Sequence, residues 1–333
     1  MKFGLVSLVL FAILSVKSFG QKFGEMYKQD IEYAQLLYKQ EKYRKSAESY
    51  NEAFNRNGNI AYLDDRYMAV RAWSMAGEPD SAFYHLFRII DRAQYEEVDK
   101  VISDSTLKNL TSDTRWSKAI ELMRANKQTK EAKYDRKLIA ILDSVYHIDQ
   151  RYRQTVHDTI NKYGMNSPQM DKLNRLIMID DSINLKRVTS ILDSYGWPGP
   201  DVIASHGNTI FLVIQHADLT IQSKYLPVMK AAVRAGAVSK SSLALLEDRI
   251  ALGQGKCQTY GTQIGYNENL KSYYVLPLSD PANVDQRRNE VGLSKISEYL
   301  STWAIDWDKD SYLDRLRELL GNESLQKYEC FRN

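Results

Sequence analysis

The sequence has almost no excess of charge of either sign: 45 basic residues stand against 42 acidic ones, a formal net charge of +3. A nucleic-acid surface must neutralise a run of phosphates, so this balance argues against nucleic acid as a partner. Cysteine is nearly absent, with Cys257 and Cys330 alone, which rules out a framework of several bridges and leaves one pairing. Two readings of that pair stand: a disulfide tying the C-terminus back to the segment around residue 257, or two unrelated small core residues. Long apolar runs are missing too. The one extended stretch, Phe3 to Val16, holds 14 residues, short of the roughly twenty that span a bilayer. It follows Lys2 and precedes Ser18 and Gly20, the pattern of a cleaved export signal over residues 1–20, with a membrane anchor as the alternative. No cysteine follows the cleavage region, so no lipid anchor is expected there. The expectation is a soluble mature chain without a membrane span, periplasmic or secreted. At 44% hydrophobic and 26% charged over 333 residues, the composition suits one large or two modest globular domains.

Recognisable catalytic signatures are also missing. No G-x-S-x-G element supplies a serine nucleophile, and neither cysteine stands in a catalytic pattern. A metal set could draw on His216, Asp218 and Glu247, but His-x-Asp without a second histidine at matching spacing does not define one. No metal and no cofactor are therefore expected.

What the chain does have is helical periodicity. Tyr33, Ala34, Leu37, Tyr43, Ser46, Tyr50 and Ala53 fall at the small and aromatic positions of a helical hairpin, and Ala69, Val70, Trp73, Gly77, Ala82 and Leu86 repeat the logic. Glu41 and Gly77 lie 36 residues apart; tetratricopeptide repeats have a period of about 34. The stretch resembles that repeat family in degenerate form, with Ser46 at a usual alanine position. The resemblance implies a protein or peptide partner; a plain helical pair without a groove is the alternative. Two further short helices are expected between Val98 and Lys127. The charged segment ANKQTKEAKYDRK then reads as a hinge, dividing a repeat region, 21–127, from an α-rich domain, 128–333.

In the second part, Leu138, Leu142, Val145, Tyr152 and Val156 form an apolar stripe at helical spacing. Asp149 lies on the same stripe, and a carboxylate there needs a partner. Arg153, one turn later, is at ion-pair spacing. A helix from about Gln169 to Leu192 repeats the oddity with Asp181 and Asn184. Gly and Pro in YGWPGP enforce a turn that carries Trp197. The apolar run Thr209 to Ile214 reads as a buried helix ending in Gln215 and His216, with Asp218 as N-cap of the next. After a helix from Ser241 to Leu252, which holds Asp248 and Arg249, the segment Gln258 to Gln263 reads as a polar strand. It is expected to pair with NLKSYYVLPL in a hairpin over about 256–278. The fold class expected is mainly α: tetratricopeptide-like hairpins, then an α-helical domain with a small β-hairpin.

YGWPGP, QHAD, LEDR, YGTQ, DP..VD.RR and VGL occur in that order, with Asp149-Gln150-x-x-Arg153 and Asp181-x-x-Asn184 ahead of them. Together they resemble an uncharacterised bacterial family, a domain of unknown function, over residues 136–302. The resemblance implies a single domain and no known activity.

Three readings follow for the polar residues. An enzyme would use His216 as general acid or base, oriented by Asp248 or Asp149, with Arg249 or Arg153 facing a developing anion. A binding module would hold a small molecule or cell-envelope fragment with Asp149, Arg153, Asp181, Asn184, Gln215, Gln258, Tyr260 and Gln263, and stack it on Trp197. Internal glue would spend the same groups on one another. All three expect His216, Asp248, Arg249, Gln258, Tyr260 and Gln263 to converge, with Asp149 and Arg153 approaching from the long helix.

Overall fold

Small residues recur one helical turn apart through the first hundred residues, and in the computed structural model, which describes residues 24–267 and 270–332, they form the seams between paired helices. The expected export signal, 1–20, lies outside the described residues. The chain divides into two compact units, one ending at Ala132 and one starting at Lys133.

The first unit contains α1 (24–39), α2 (Tyr43–Arg56), α3 (Leu63–Met75), α4 (Pro79–Ala93), α5 (Val98–Ser103), a 3-10 turn (Ser105–Leu110) and α6 (Thr114–Glu131). Ala34, Ala47, Ala69, Ala72 and Ala82 are fully buried, which lets the helices approach closely, and Tyr50, Phe54, Phe83 and Leu86 fill the seams. Ser46 stands where an alanine would pack because its hydroxyl donates to the Ala34 carbonyl at 2.7 Å. The charged segment expected as a hinge is mostly helix: α6 continues to Glu131, and the break falls at Ala132 to Asp135. Its lysines and glutamate are good helix formers on an exposed face, so low apolar content did not mean loop.

His85, buried on α4, receives an N–H from Arg66 at 3.2 Å on Nδ1 and lies 2.7 Å from Asn51 Oδ1 through Nε2. Burial, with the charges of Arg66 and Arg88, pushes its pKa down to about 3. In the unfolded chain that value returns to about 6.5. Between those two values the unfolded chain binds a proton that the folded chain refuses, so stability falls as pH drops, by up to about 1.4 kcal/mol per pH unit. At about pH 4.5 the loss attributable to His85 should reach roughly 2–3 kcal/mol. Hydrogen exchange of the α3 and α4 amides in wild type and His85→Gln reads this directly. Equal pH slopes in the two proteins would remove His85 as the cause.

The second unit begins with α7 (Arg136–Arg153), α8 (Val156–Tyr163), α9 (Pro168–Tyr195), α10 (Pro200–Ile203) and α11 (Gly207–His216). Asp135 starts α7 by accepting the Lys137 and Leu138 N–H groups. α7 and α9 pack side by side, and α11 lies against both. Leu142, Val145, Val188, Ile210 and Ile214 form the centre of this layer. The apolar stripe crosses a helix break, since α7 ends at Arg153 and Val156 opens α8. Asp218 caps α12 (Leu219–Arg234) by accepting from Ile221 N at 2.9 Å, and α12 packs on α13 (Lys240–Gly253).

A small antiparallel hairpin follows, β1 (Ile264–Asn267) with β2 (Ser272–Val275), in register Ile264↔Val275. The expected strand Gln258 to Gln263 is not one. It is a loop with a single parallel bridge, Gln258 to Leu278. The cause is chemical: three of its backbone N–H groups go to the Asp248 carboxylate, and a group spent there is lost to a ladder. Gly261 turns the chain at φ +69°, where a Cβ would meet Ile296 Cδ1 at 2.8 Å. After β2 come α14 (Val284–Glu290), α15 (Ile296–Ser301), α16 (Tyr312–Leu320) and α17 (Asn322–Leu325), gathered round Leu278, Ile296, Leu300 and Leu316. Cys257 and Cys330 are joined by a disulfide, with Cα atoms 6.0 Å apart.

Candidate functional site

Asp149 faces inward because it continues the stripe of Leu138, Leu142 and Val145, and it is 2% exposed. An isolated carboxylate there would be costly, and three side chains offset the cost. Gln150 Nε2 donates to Asp149 Oδ2 at 2.8 Å, and Arg153 donates to the Asp149 carbonyl at 2.9 Å and to Oδ1 at 3.3 Å. His216 Nδ1 lies 3.1 Å from Oδ1. Arg153 also bridges to α9, donating to both Asp181 oxygens at 2.8 Å. Burial pushes the Asp149 carboxyl up, but the bonds and charges from His216, Arg153 and Gln150 outweigh it and hold the group below the usual carboxylate range. The carboxylate is therefore ionised near neutral pH and has no hydrogen to give. His216 Nδ1 therefore donates to this carboxylate, and Nε2 has no hydrogen-bond partner among the described residues.

The corner after α11 holds His216 in place. Gln222, buried on α12, donates to the Gln215 carbonyl at 3.0 Å and to the Ala217 carbonyl at 2.8 Å. Buried Asn184 donates to the Val145 carbonyl at 3.1 Å, one turn before Asp149, while its Oδ1 has no hydrogen-bond partner among the described residues. One oxygen each of Asp149 and Asp181 and one His216 nitrogen lie within 4.8 Å of one another, a spacing that would suit a metal ion. Arg153 already sets a positive charge on both carboxylates, so a divalent cation would have to displace it. The other metal combination does not assemble: Asp218 is a cap and Glu247 pairs with Lys230 at 2.9 Å.

The remaining candidates divide from this group. Asp248 was expected to orient His216 or join a ligand site; it is instead committed to the loop after α13. Its oxygens accept from Thr259 N at 2.6 Å, Tyr260 N at 3.0 Å, Thr262 N at 3.0 Å and the Thr262 hydroxyl at 2.9 Å. Burial pushes this carboxyl up, against the pull of those bonds. The loop carbonyls are taken from the other side: Arg287 donates to Thr259 O, Arg288 to Tyr260 O and Tyr299 to Thr262 O, at 2.9, 2.7 and 2.8 Å. Gln258, fully buried, bonds the Gln263 backbone on both sides and the Leu276 carbonyl, and the Gln263 side chain reaches the Thr262 hydroxyl. Gln258, Gln263 and Asp248 thus secure one another. Among the described residues no hydrogen bond or ion pair joins this network to the Asp149 group.

Arg249 is exposed and the Tyr260 ring is half-buried; neither side chain makes a hydrogen bond to the Asp149 group. Trp197 packs beside Gly207 against the α7/α9/α11 core, its Nε1 buried with no hydrogen-bond partner among the described residues. Two ties escaped the sequence reading. Asp180, next to Asp181, is the buried acid of its pair and takes a two-pronged contact from Arg151 at 2.7 and 2.5 Å. Arg287 and Arg288 were visible as a double arginine, but nothing local says that they hold carbonyls 28 residues away.

The second unit is thus a helical domain with a small hairpin, a self-satisfied polar loop and, apart from it, a buried aspartate presenting a histidine. The chain belongs to a family of unknown function, DUF6624, which it matches over residues 136–308. No curated protein and no solved structure matches it.

Proposed function

We propose that this chain is an exported protein whose second unit binds a small polar ligand beside Asp149 and His216 and exchanges a proton with it. The observation that carries the reading is the Asp149–His216 hydrogen bond: the carboxylate is 1% exposed at its side chain, while the imidazole keeps 21% of its surface open. A buried anion behind a partly open imidazole, whose Nε2 has no hydrogen-bond partner among the described residues, is an arrangement a general base can use. The alternative reading of the same geometry is hydrolysis. His216 Nε2 takes a proton from water as its oxygen attacks an ester or amide carbon, then returns it to the leaving group. Asp181, whose side chain is 28% exposed, is an acceptor suited to hydroxyl or amine groups of a cell-envelope sugar or peptide. Export is supported by the Lys2 to Gly20 pattern and fits an oxidised cysteine pair. A peptide partner for the first unit is supported by its exposed Tyr33, Leu36, Tyr62 and Tyr84.

A thermal-shift screen of the mature protein against envelope sugars, peptides, nucleotides and divalent metals tests the site, run on wild type and His216→Ala together. A ligand at about a hundred times its Kd should stabilise wild type by roughly 2.7 kcal/mol and leave the variant unmoved. The unliganded variant should lose about 1–3 kcal/mol and stay folded, since the buried Asp149 carboxylate keeps Arg153 and Gln150 but loses one partner. Ligand shifts of equal size in both proteins would discard His216, and a variant that unfolds without any ligand response in wild type would make the pair packing glue. Product release in the same wells separates turnover from binding. Because the Asp149 carboxyl is held low in the folded chain, its contribution is present above the unfolded carboxyl value of about 3.9 and is lost as pH falls through the folded one.

A further inference from the structure

The last third of the second unit contains a cavity of about 380 Å³ between β2, the segment 304–308 and α16. None of the Asp149 group lines it. Its volume falls in the range of small-molecule sites, and its walls are unusually aromatic. Trp307 and Tyr312 meet with ring centroids 5.3 Å apart, and Tyr273 lines the opposite strand. The Tyr312 hydroxyl is already used, donating to Leu276 O and accepting from Leu278 N, both at 2.9 Å, so a ligand would meet its ring.

Charge at the cavity is one-sided. Asp306, Asp308 and Glu318 line it against one cation, Arg315. Arg315 aims a guanidinium N–H at the Asp306 carbonyl at 3.2 Å, and Asp308 accepts from Asp310 N at 3.0 Å. The carboxylates of Asp306 and Glu318 have no hydrogen-bond or ion-pair partner among the described residues. Two unneutralised anions beside aromatic faces attract a cation twice, through charge and through the ring quadrupoles, and repel an anion.

We propose that this cavity binds a small organic cation with an apolar body, of the quaternary-ammonium class. The aromatic walls accept the methyl groups, and Asp306 and Glu318 answer the charge that those groups carry. Anionic or strongly hydrated ligands do not fit this chemistry. The site is independent of the Asp149–His216 reading.

Choline is the probe, with 3,3-dimethylbutan-1-ol as the neutral molecule of the same shape, titrated into the full mature chain and followed by tryptophan fluorescence and calorimetry. Choline should saturate, with the neutral isostere at least about tenfold weaker. The exposed double substitution Asp306→Asn/Glu318→Gln should weaken choline by about five- to tenfold with no change in melting temperature, and Trp307→Leu should weaken it in a chain that circular dichroism reports as folded. Equal binding of the isostere, a double variant that binds choline as wild type does, or no saturation at up to about 50 mM choline, a dissociation constant beyond which little binding free energy remains, would each overturn the proposal.

Discussion

Asp248→Ala should destabilise the second unit by about 3–5 kcal/mol, because it strips from three backbone N–H groups at once the only partner they have among the described residues. Asp248 is 1% exposed, so water cannot replace the carboxylate without opening the packing of α13 against the loop. Each buried donor left unmade costs roughly 1–3 kcal/mol, far more than an ordinary hydrogen bond contributes. The damage should spread, since Arg288, buried and holding the Tyr260 carbonyl, depends on the loop keeping its path. Asp248→Asn is the sharper test. It keeps the shape but turns one acceptor into a donor facing an N–H, so it should cost about half as much. Urea unfolding followed by hydrogen exchange at 257–263 gives both numbers. A loss under about 1 kcal/mol in the alanine variant, with the loop amides still protected, would show that the Asp248 bonds are dispensable.

Asp149 was legible because a carboxylate on a stripe of Leu138, Leu142 and Val145 has to find a partner, and Arg153 stood one turn away. The helices of both units were legible for the same reason: apolar spacing of three, four and seven survives in any packing. The pairing of Asp149 with His216 was not, since 67 residues separate them and nothing in either segment names the other. The choice between Asp180 and Asp181 turned on about 100° of helix rotation, and both are acidic. The loop at 257–263 misled in a more instructive way. Its alternating polar residues resemble a strand, but alternation records side chains, and what decided the conformation was where the backbone N–H groups went. A buried acid 11 to 14 residues earlier took them, an interaction that no local pattern announces. The motifs LEDR, YGTQ and VD.RR accordingly mark one structural network, while DQ..R, D..N and QHAD meet at the candidate site.

Reducing the Cys257–Cys330 bridge should cost the second unit about 4 kcal/mol in the chain-entropy model, since the linked residues are 73 apart in sequence. The residues enclosed include the hairpin, α14, α15, α16 and α17, so the loss should be felt well beyond the tail. Without the link the C-terminus keeps few anchors: Leu325 in the apolar cluster, Glu329 N donating to Gly255 O at 2.7 Å, and contacts of Arg332 with the nearby chain. The paired variant Cys257→Ser/Cys330→Ser should therefore lose stability and release residues beyond Leu325 to protease while the α7/α9/α11 layer stays folded. Cys257 also begins the loop that Asp248 holds, so bridge and carboxylate restrain one short segment from its two sides. Removing both should cost less than the sum of the single losses, because a loop already freed at one restraint has less order left to lose at the other. A double-mutant cycle in urea reads the coupling. Strict additivity would separate the two restraints, and a bridge worth less than about 1 kcal/mol would mean that the tail is held by its packing alone.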